Sequence, residues 1–329
     1  MLLNFKRAAG AITVAVLAAT AITGQAADAA KDYPNKPVRL IAPFTPGAGT
    51  DTTARMLAKH LSDQWNQQVV VDNRTGAAGA IGVSIANEAT PDGYTICLIS
   101  ASHSVNSATN PNLPYDLTKD LQGISQATSL FYAVYVNEKV PAKSIKELIA
   151  YAKANPGKLN YSSSGTGGLQ HFAGEMFDHL AKVKMIHVPF KGSAAGIVAN
   201  LAGEVQVGFG TLFGVRPHMQ SGRLRVLAIT AKKRSPAVPD IPTVDEAGVP
   251  GYEVDQWYGI IGSAKIPKPI INKIRDGIVV ALKDPAVTKR LASDGSTPVG
   301  STPEQFSAHI KSEVNKWRAL AKAANLKLH

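Results

Sequence analysis

The chain of 329 residues contains a single cysteine and few aromatic residues, and each scarcity excludes a class of protein. Cys97 cannot form a disulfide within the chain, and its apolar neighbours indicate a core residue rather than a nucleophile. Aromatic residues make up only 6% of the chain and the basic residues are scattered, so we expect no nucleic-acid partner despite a net charge of +11. Beyond the N-terminal segment, no run approaches the ~20 apolar residues of a membrane-spanning helix.

Sequence motifs of catalysis and of nucleotide binding are also absent. The chain has no G-x-S-x-G elbow, no H-E-x-x-H pair and no P-loop ending, and its eight histidines show no spacing typical of metal ligands. We therefore predict a protein that is not an enzyme and that uses no metal or organic cofactor. One alternative stays open, a hydrolase in which Ser163 or Ser164 is the nucleophile and His171 the base, although no third orienting group is evident.

Residues 1–29 have the pattern of a secretory signal peptide. Lys6 and Arg7 precede an apolar stretch over 8–22, and small-residue cleavage patterns end at Ala26 and at Ala29. We expect export and cleavage after one of these two alanines; an uncleaved N-terminal anchor is the alternative. The remaining chain, about 300 residues, is long enough for roughly two domains.

Apolar strand-like runs alternate with amphipathic helical runs, which predicts an α/β fold with parallel sheets. Continuous apolar runs are typical of strands that are covered on both faces. The predicted strands are 38–42, 69–71, 96–99, 185–188, 205–209 and 224–229. A capping box at Ser144 and Glu147 predicts a helix start, and two closing helices are expected at 270–282 and 302–324, the second capped by Ser301 or Thr302.

Two glycine-rich loops of the same construction lie about a hundred residues apart, at 44–51 and at 162–168. Each follows a strand pattern and opens a helix, where free backbone N–H groups and the helix dipole favour an anion. Glycine lets the backbone approach a ligand closely, and hydroxyl groups add hydrogen bonds. The alternative is a pair of ordinary strand–helix turns. The candidate ligand-binding residues in these loops are Phe44, Thr45, Gly47, Ala48, Gly49, Thr50, Asp51, Ser163, Ser164, Gly165, Thr166 and Gly167.

Further candidates lie where other strands end, because ligands in open α/β sheets bind outside the carboxyl ends of the strands. Ser102 and His103 follow the strand of Cys97, and Lys191 lies in a third loop of this type. His171 either faces the cleft or bonds a neighbouring carbonyl, and Asp51 either caps its helix or reaches the ligand. Lys191 is either a carboxylate ligand or an ordinary surface lysine. His187 alternates with apolar neighbours, which favours a core histidine.

Eight short motifs follow one another along the chain: Ala42-Pro43-Phe44-Thr45-Pro46-Gly47, Val71-Asp72-Asn73-Arg74, Pro91-Asp92-Gly93-Tyr94, Leu113-Pro114-Tyr115-Asp116, Leu159-Asn160-Tyr161-Ser162, Gln170-His171, Val188-Pro189-Phe190-Lys191-Gly192-Ser193 and Asp240-Ile241-Pro242-Thr243-Val244. In this order they resemble the extracytoplasmic solute receptors of tripartite tricarboxylate transporters, the Bug-type periplasmic binding proteins. The resemblance runs from about Tyr33 to the C-terminus.

The resemblance implies an α/β, two-domain clamshell of the type II periplasmic-binding-protein kind, each domain a mostly parallel sheet flanked by helices. It places one domain at 31–128 plus 252–329 and the other at 129–251, with crossing strands at the hinge over 131–136 and 252–261. It also implies a monomeric periplasmic receptor that binds a small organic carboxylate between its lobes.

The family resemblance further implies delivery of the ligand to membrane transporter subunits, with presentation to a sensor kinase as an alternative. Where many members carry an acidic residue, this chain has Gly210 and Thr211. Both are candidate ligand-binding residues. The missing carboxylate argues against amino-acid ligands and for a mono- or dicarboxylate, aromatic ones included.

Overall fold

The computed structural model describes residues 31–47, 49–293 and 295–324. The predicted signal peptide, its cleavage sites and Ala48 lie outside the described residues. Strands and helices alternate over most of the described chain, as the hydrophobic pattern predicts. The strands are β1 (Val38–Ala42), β2 (Val69–Asn73), β3 (Thr95–Ser100), β4 (Leu121–Asn137), β5 (Asn160–Ser163), β6 (Ile186–Pro189), β7 (Val207–Thr211), β8 (Leu224–Ile229), β9 (Asp255–Ser263) and β10 (Ser296–Pro298). The helices are α1 (Gly49–Trp65), α2 (Ala80–Glu88), α3 (Ala101–Thr109), α4 (Ile145–Ala154), α5 (Leu169–Ala181), α6 (Ser193–Ala202), α7 (Leu212–Gln220), α8 (Lys268–Leu282), α9 (Pro285–Ser293) and α10 (Pro303–Ala323).

One sheet has the order β2-β1-β3-β9-β4, with β10 added along β4. β1 lies parallel between β2 and β3, whereas β9 runs antiparallel to both β3 and β4. The three parallel strands are the apolar runs that the sequence pattern predicts. Their carboxyl ends, and therefore the loops that follow them, lie along one edge of this sheet. We call this sheet and its helices the first lobe.

The long strand β4 carries the chain into a second sheet. It pairs with β9 as far as Phe131, and from Tyr132 onwards it pairs with β7 and, from Ala133, with β8. In the second sheet β5 lies parallel between β6 and β7, and so the carboxyl ends of these three strands share an edge as well. We call this sheet and its helices the second lobe. The architecture is the two-lobed α/β clamshell with strands that cross at a hinge.

The segment that leads back from the second lobe to the first is bonded to β4 through the buried residue Thr230. Its hydroxyl accepts a hydrogen bond from the Tyr132 N–H at 2.8 Å and donates one to the Val254 carbonyl at 2.6 Å. Its backbone also bonds both partners, since the Thr230 N–H donates to Tyr132 and its carbonyl accepts from Val254. Thr230 therefore ties the two crossing segments together.

Most of the apolar core forms two clusters. One lies beneath β1, between α1 and α8, and includes Leu40, Leu57 and Ile274. The other extends through both lobes, and in it the ring of Phe172 on α5 packs edge-on against Trp317 on α10, with centroids 5.9 Å apart. Burial of this apolar surface is the main stabilising contribution to such a fold.

Local signals at helix starts agree with the sequence patterns. The Ser144 hydroxyl accepts from the Glu147 N–H, and the Glu147 carboxylate accepts from the N–H of Lys143, one residue before the cap. Thr302, rather than Ser301, caps α10, in a reciprocal pair with Gln305.

Cys97 is buried in β3, and burial raises the pKa of its thiol. Among the described residues, no helix combines the length and apolar character needed to cross a membrane.

Candidate ligand-binding site

The first glycine-rich loop connects β1 to α1 and is held closed by Asp51. One carboxylate oxygen of this buried residue accepts from the Gly47 N–H at 2.9 Å, and the other accepts from the Asn73 side-chain amide at 2.9 Å. Arg55 adds a charge-assisted pair one helical turn away. Asp51 therefore closes the loop that precedes its helix, a role that differs from the helix capping and the ligand contact that the sequence suggested.

The same contacts control the charge of Asp51. Burial alone would raise the pKa of its carboxyl, but the hydrogen bonds from Arg55, Gly47 and Asn73 outweigh that effect and hold the pKa below its usual value. Asn73 was not among the predicted site residues. It lies at the end of β2, and its amide also donates to the carbonyl of Phe44 at 3.0 Å.

The second glycine-rich loop begins where β5 ends, at Ser163. The Ser163 hydroxyl bonds both the N–H and the carbonyl of Gly165, at 3.2 and 3.1 Å, and lies 2.6 Å from Nε2 of His187. Gly165 and Gly167 have φ of +138° and +78°, a conformation that side chains with a Cβ rarely adopt. Ser164 and Thr166 are exposed, so their hydroxyls are accessible to a ligand.

His171 lies beneath this loop and does not face the cleft. Its side chain is buried, and Nδ1 accepts the N–H of Gly167 at 3.2 Å. It therefore takes neither of the two predicted roles. Its ring stacks on the ring of His187, with centroids 3.9 Å apart and an angle of 17° between planes.

His187 is the residue that the sequence interpretation missed. We took it for a core histidine, whereas it is half-buried and reaches the Ser163 hydroxyl. Burial and the neighbouring imidazole of His171 lower the pKa of His187 to about 4. The strand register could have located it, because Tyr161 pairs with His187 across β5 and β6, two residues before each strand ends.

The N-terminus of α3 lies between the two loops. Ser102 accepts the Leu169 N–H, from the start of α5 in the other lobe, at 3.3 Å. The ring of His103 packs edge-on against Phe44 of the first loop, with centroids 5.3 Å apart. Burial lowers the pKa of His103 to about 4, and its Nδ1 accepts the Ser100 N–H. This buried imidazole supports the first loop from below.

The third loop runs beside the second, because the Phe190 N–H donates to the Ser163 carbonyl at 3.0 Å. Lys191, the next residue, is exposed. Gly210 and Thr211 end β7 at the same edge of the sheet, and a Cβ on Gly210 would lie 3.3 Å from the Tyr135 ring. Phe44 of the first loop thus contacts His103 of α3, and Ser102 of α3 contacts Leu169, which follows the second loop. Lys191 follows β6, and Gly210 and Thr211 end β7, the two strands that flank β5.

The family model described as "Tripartite tricarboxylate transporter family receptor" matches residues 53–326 of the chain. The chain belongs to this family. Protein BugT of Bordetella pertussis is 34% identical over 94% of this chain and 95% of its own length.

Solved structures of receptors show the same architecture. The structure of R. palustris Rpa4515 with adipate has a TM-score of 0.82 and 32% identity, and covers 89% of this chain and 99% of that one. MatC from Rhodopseudomonas palustris with bound malate has a TM-score of 0.79 and 27% identity, and covers 88% and 99% respectively. The protein is accordingly a solute receptor and not an enzyme.

The geometry of the receptor also disagrees with the hydrolase alternative. The imidazole within hydrogen-bond distance of Ser163 is that of His187, and His171 is occupied by Gly167. Ser163 itself is buried and bonded to its own loop. Among the described residues, no group of three or more His, Cys, Asp or Glu side chains is arranged to hold a metal ion.

Basic side chains near the loops are largely neutralised by acidic neighbours. Arg55 pairs with Asp51, and Arg74 pairs with Asp72 at 3.0 Å. Among the described loop residues, the exposed groups that can face an anion include the hydroxyls of Thr45, Ser164 and Thr166 and the side chain of Lys191. Such a site can bind a carboxylate through hydrogen bonds supported by helix dipoles.

Proposed function

We propose that this receptor binds a small organic carboxylate, either a mono- or a dicarboxylate, between its two lobes in the periplasm and delivers it to a membrane transporter. The observation that carries the proposal is the convergence of two glycine loops on the N-terminus of α3. Contacts of Phe44 with His103 and of Ser102 with Leu169 connect them. N–H donors at helix N-termini favour a negatively charged ligand and need no covalent chemistry.

Two relatives support the class of ligand, because adipate and malate, named with their structures, are both dicarboxylates. The end of β7 supports it as well. Gly210 and Thr211 offer no carboxylate to an amino group, and so a plain carboxylate is favoured over an amino acid. Aromatic carboxylates remain within the proposed class.

We assign direct contacts to the exposed parts of the loops and supporting roles to the buried residues. The proposed contacts are the backbone N–H of Gly49, the hydroxyls of Thr45, Ser164 and Thr166, and the Lys191 side chain. The N–H groups of Gly47, Gly165 and Gly167 are bonded within their loops, and these glycines let the ligand approach the backbone closely. Asp51, His103 and His171 hold these groups in place. We place the lobes at 31–128 plus 252–329 and at 129–251, and we propose a monomer that is exported by the signal peptide.

The ligand class is tested with the mature chain, unfolded and refolded to remove any copurified ligand. Thermal unfolding is followed with mono-, di- and tricarboxylates, aromatic carboxylates and amino acids, and each hit is confirmed by calorimetry. A ligand present at 100 times its Kd stabilises the fold by about 2.7 kcal/mol, a shift of several degrees. A folded protein that responds to none of the carboxylates contradicts the proposal.

The loop itself is tested by Gly167→Val, with Gly157→Val as a matched control. Both glycines have a left-handed φ, +78° and +68°, and neither would place a Cβ within 4 Å of another atom. Gly157 precedes β5, at the end opposite to the second loop. We expect both variants to lose similar stability, on the order of 1–2 kcal/mol, and only Gly167→Val to lose affinity. Equal affinities would exclude the loop from binding.

Delivery is tested by incubating the tagged receptor, with and without its ligand, with membranes from its own source. We expect ligand-dependent recovery of transporter subunits. Recovery of a sensor kinase alone would favour a signalling role over transport.

N-terminal sequencing tests the predicted export. The periplasmic protein should begin at Ala27 or Ala30, and a protein that keeps residues 1–29 would contradict the prediction.

A further inference from the structure

Two stacked imidazoles, of His171 and His187, lie directly beneath the second glycine loop. Their centroids are 3.9 Å apart, and the ring of Tyr161 continues the stack at 5.1 Å from His187. Each imidazole contacts a different part of the loop. His171 bonds the N–H of Gly167, and His187 bonds the hydroxyl of Ser163.

The hydrogen bond from Gly167 determines the proton position on His171. Since Nδ1 accepts the N–H of Gly167, it carries no proton, and the neutral ring has its proton on Nε2. Nε2 lies 3.6 Å from Oε1 of Glu175, which also accepts the Tyr161 hydroxyl at 2.7 Å. The carboxylate of Glu175 thus faces the Nε2 proton and favours this tautomer.

The contacts of Ser163 determine the proton position on His187. A hydroxyl has one proton and two lone pairs. The Gly165 N–H donates to Ser163 Oγ, and Oγ donates to the Gly165 carbonyl. One lone pair remains for the contact of 2.6 Å with His187. All three bonds form together only if Nε2 of His187 carries the proton and donates.

The hydrogen bonds of the loop therefore require a neutral ring at His171 and a proton on Nε2 of His187. Two imidazolium rings at 3.9 Å would repel each other in a partly buried site. The titratable groups facing the pair are Glu175 and Tyr161, and Asp178 lies on the same helix as Glu175. Burial is the largest effect that lowers the pKa of His187, to about 4, and its ring is accordingly neutral at pH 7.

We propose that His171 and His187 are positioning residues for ligand binding, a neutral imidazole pair that holds the second loop in its binding conformation through Gly167 and Ser163. The pair does not touch the ligand. This inference rests on the proposed function of the loop. It adds the two uncharged imidazoles that set the geometry of the loop.

The test compares substitutions that keep or remove each hydrogen bond. In His171→Asn the amide oxygen replaces the Nδ1 acceptor, whereas His171→Leu has no acceptor. In His187→Gln the amide nitrogen replaces the Nε2 donor, whereas His187→Leu has no donor. Circular dichroism and thermal unfolding identify any variant that does not fold, and the amide variants keep the proposal testable if a leucine variant fails.

The first readout needs no ligand. Amide hydrogen exchange of the mature protein, measured by NMR, should rise at least tenfold at Gly167 in His171→Leu and at Gly165 in His187→Leu. The Asn and Gln variants should stay close to wild type. Nitrogen shifts of the imidazoles should show Nε2–H tautomers for both rings. Unchanged exchange at both glycines, or a protonated Nδ1 on His171, overturns the proposal.

The second readout is the Kd for malate and for adipate, measured by calorimetry. We expect at least a tenfold weaker affinity in the leucine variants and recovery to within threefold of wild type in the Asn and Gln variants. Equal affinities in all five proteins overturn the positioning role. If wild type binds neither acid, the proposed ligand class fails, whereas the exchange experiment still decides the role of the histidines.

Discussion

The hydroxyl of Ser102 accepts a hydrogen bond from the backbone N–H of Leu169 at 3.3 Å. Ser102 lies in the first turn of α3 in the first lobe, and Leu169 is the first residue of α5 in the second lobe. The first N–H groups of a helix have no partner within the helix. Here the opposite lobe supplies one, and so the contact both satisfies α5 and joins the lobes beside the glycine loops.

Ser102→Ala removes this link and leaves the Leu169 N–H without its partner. We expect the lobes to separate more readily, with a ligand affinity three- to tenfold weaker, because a hydrogen bond contributes about 1 kcal/mol. Calorimetry measures the affinity, and small-angle scattering measures the radius of gyration without ligand. Ser104→Ala is the matched control, because the Ser104 hydroxyl on the same helix is buried without a hydrogen-bond partner among the described residues. An affinity for Ser102→Ala equal to that of the control would disprove the closing role.

Thr230→Val keeps the shape of the side chain at the hinge but removes its hydroxyl. The Tyr132 N–H and the Val254 carbonyl then lose a buried partner, each at a cost of about 1–3 kcal/mol. We expect a lower free energy of unfolding by chemical denaturation. Thr128→Val on β4, the strand of Tyr132, serves as control, since the buried Thr128 hydroxyl has no partner within the described chain. The free energy of unfolding of Thr128→Val should equal that of wild type or slightly exceed it. Comparable losses in both variants would contradict the role of Thr230.

Asp51→Asn tests the closure of the first loop. The charge-assisted bonds to Gly47, Asn73 and Arg55 weaken, and we expect a loss of about 1–3 kcal/mol at pH 7. The folded-state pKa of Asp51 is depressed, and so its stabilisation is present above the unfolded value of about 4 and is lost as the pH falls through the folded value. The difference between wild type and Asp51→Asn should therefore shrink below pH ~4. A difference that stays constant with pH would argue against the carboxylate as its source.

Asp178 should produce the opposite pH dependence. Burial raises the pKa of its carboxyl to about 7, although the Met185 N–H bonds it. The folded state therefore holds the proton more tightly, and the free energy of unfolding falls as the pH rises from about 4 to about 7. Between pH 4 and pH 7 the wild type should lose about 1–3 kcal/mol of unfolding free energy, and Asp178→Asn should not show this loss. Denaturation at pH 5 and pH 8 measures the slope, and parallel profiles for the two proteins would show that Asp178 does not titrate there.

The sequence predicted the elements of the second loop but not the contacts beneath it. The strand pattern, Ser163 and Gly167 follow from local composition, whereas the roles of His171 and His187 depend on which strands are neighbours. His187 was taken for a core residue because alternation along one strand does not show what lies on the adjacent strand. The pairing of β5 with β6 brings it to Ser163. Asn73 was missed for the same reason, since its partners Phe44 and Asp51 belong to the loop after β1 and to α1.

By itself the sequence determined the α/β class, the position of the glycine loops at strand ends, the helix cap at Ser144, and the cap of the last helix to within one residue. These features depend on side chains within a few residues of each other, where hydrogen-bond geometry and hydrophobic period are local. The tertiary structure alone decided that Asp51 closes its loop, that His171 is buried below the loop and not in the cleft, and that Ser102 reaches Leu169 in the other lobe. The bond from Asn73 to Asp51 and the stack of His171 on His187 depend on neighbouring strands, and the bond between Ser102 and Leu169 depends on packing between lobes. In each case a polar group or ring takes whichever partner the fold brings near it.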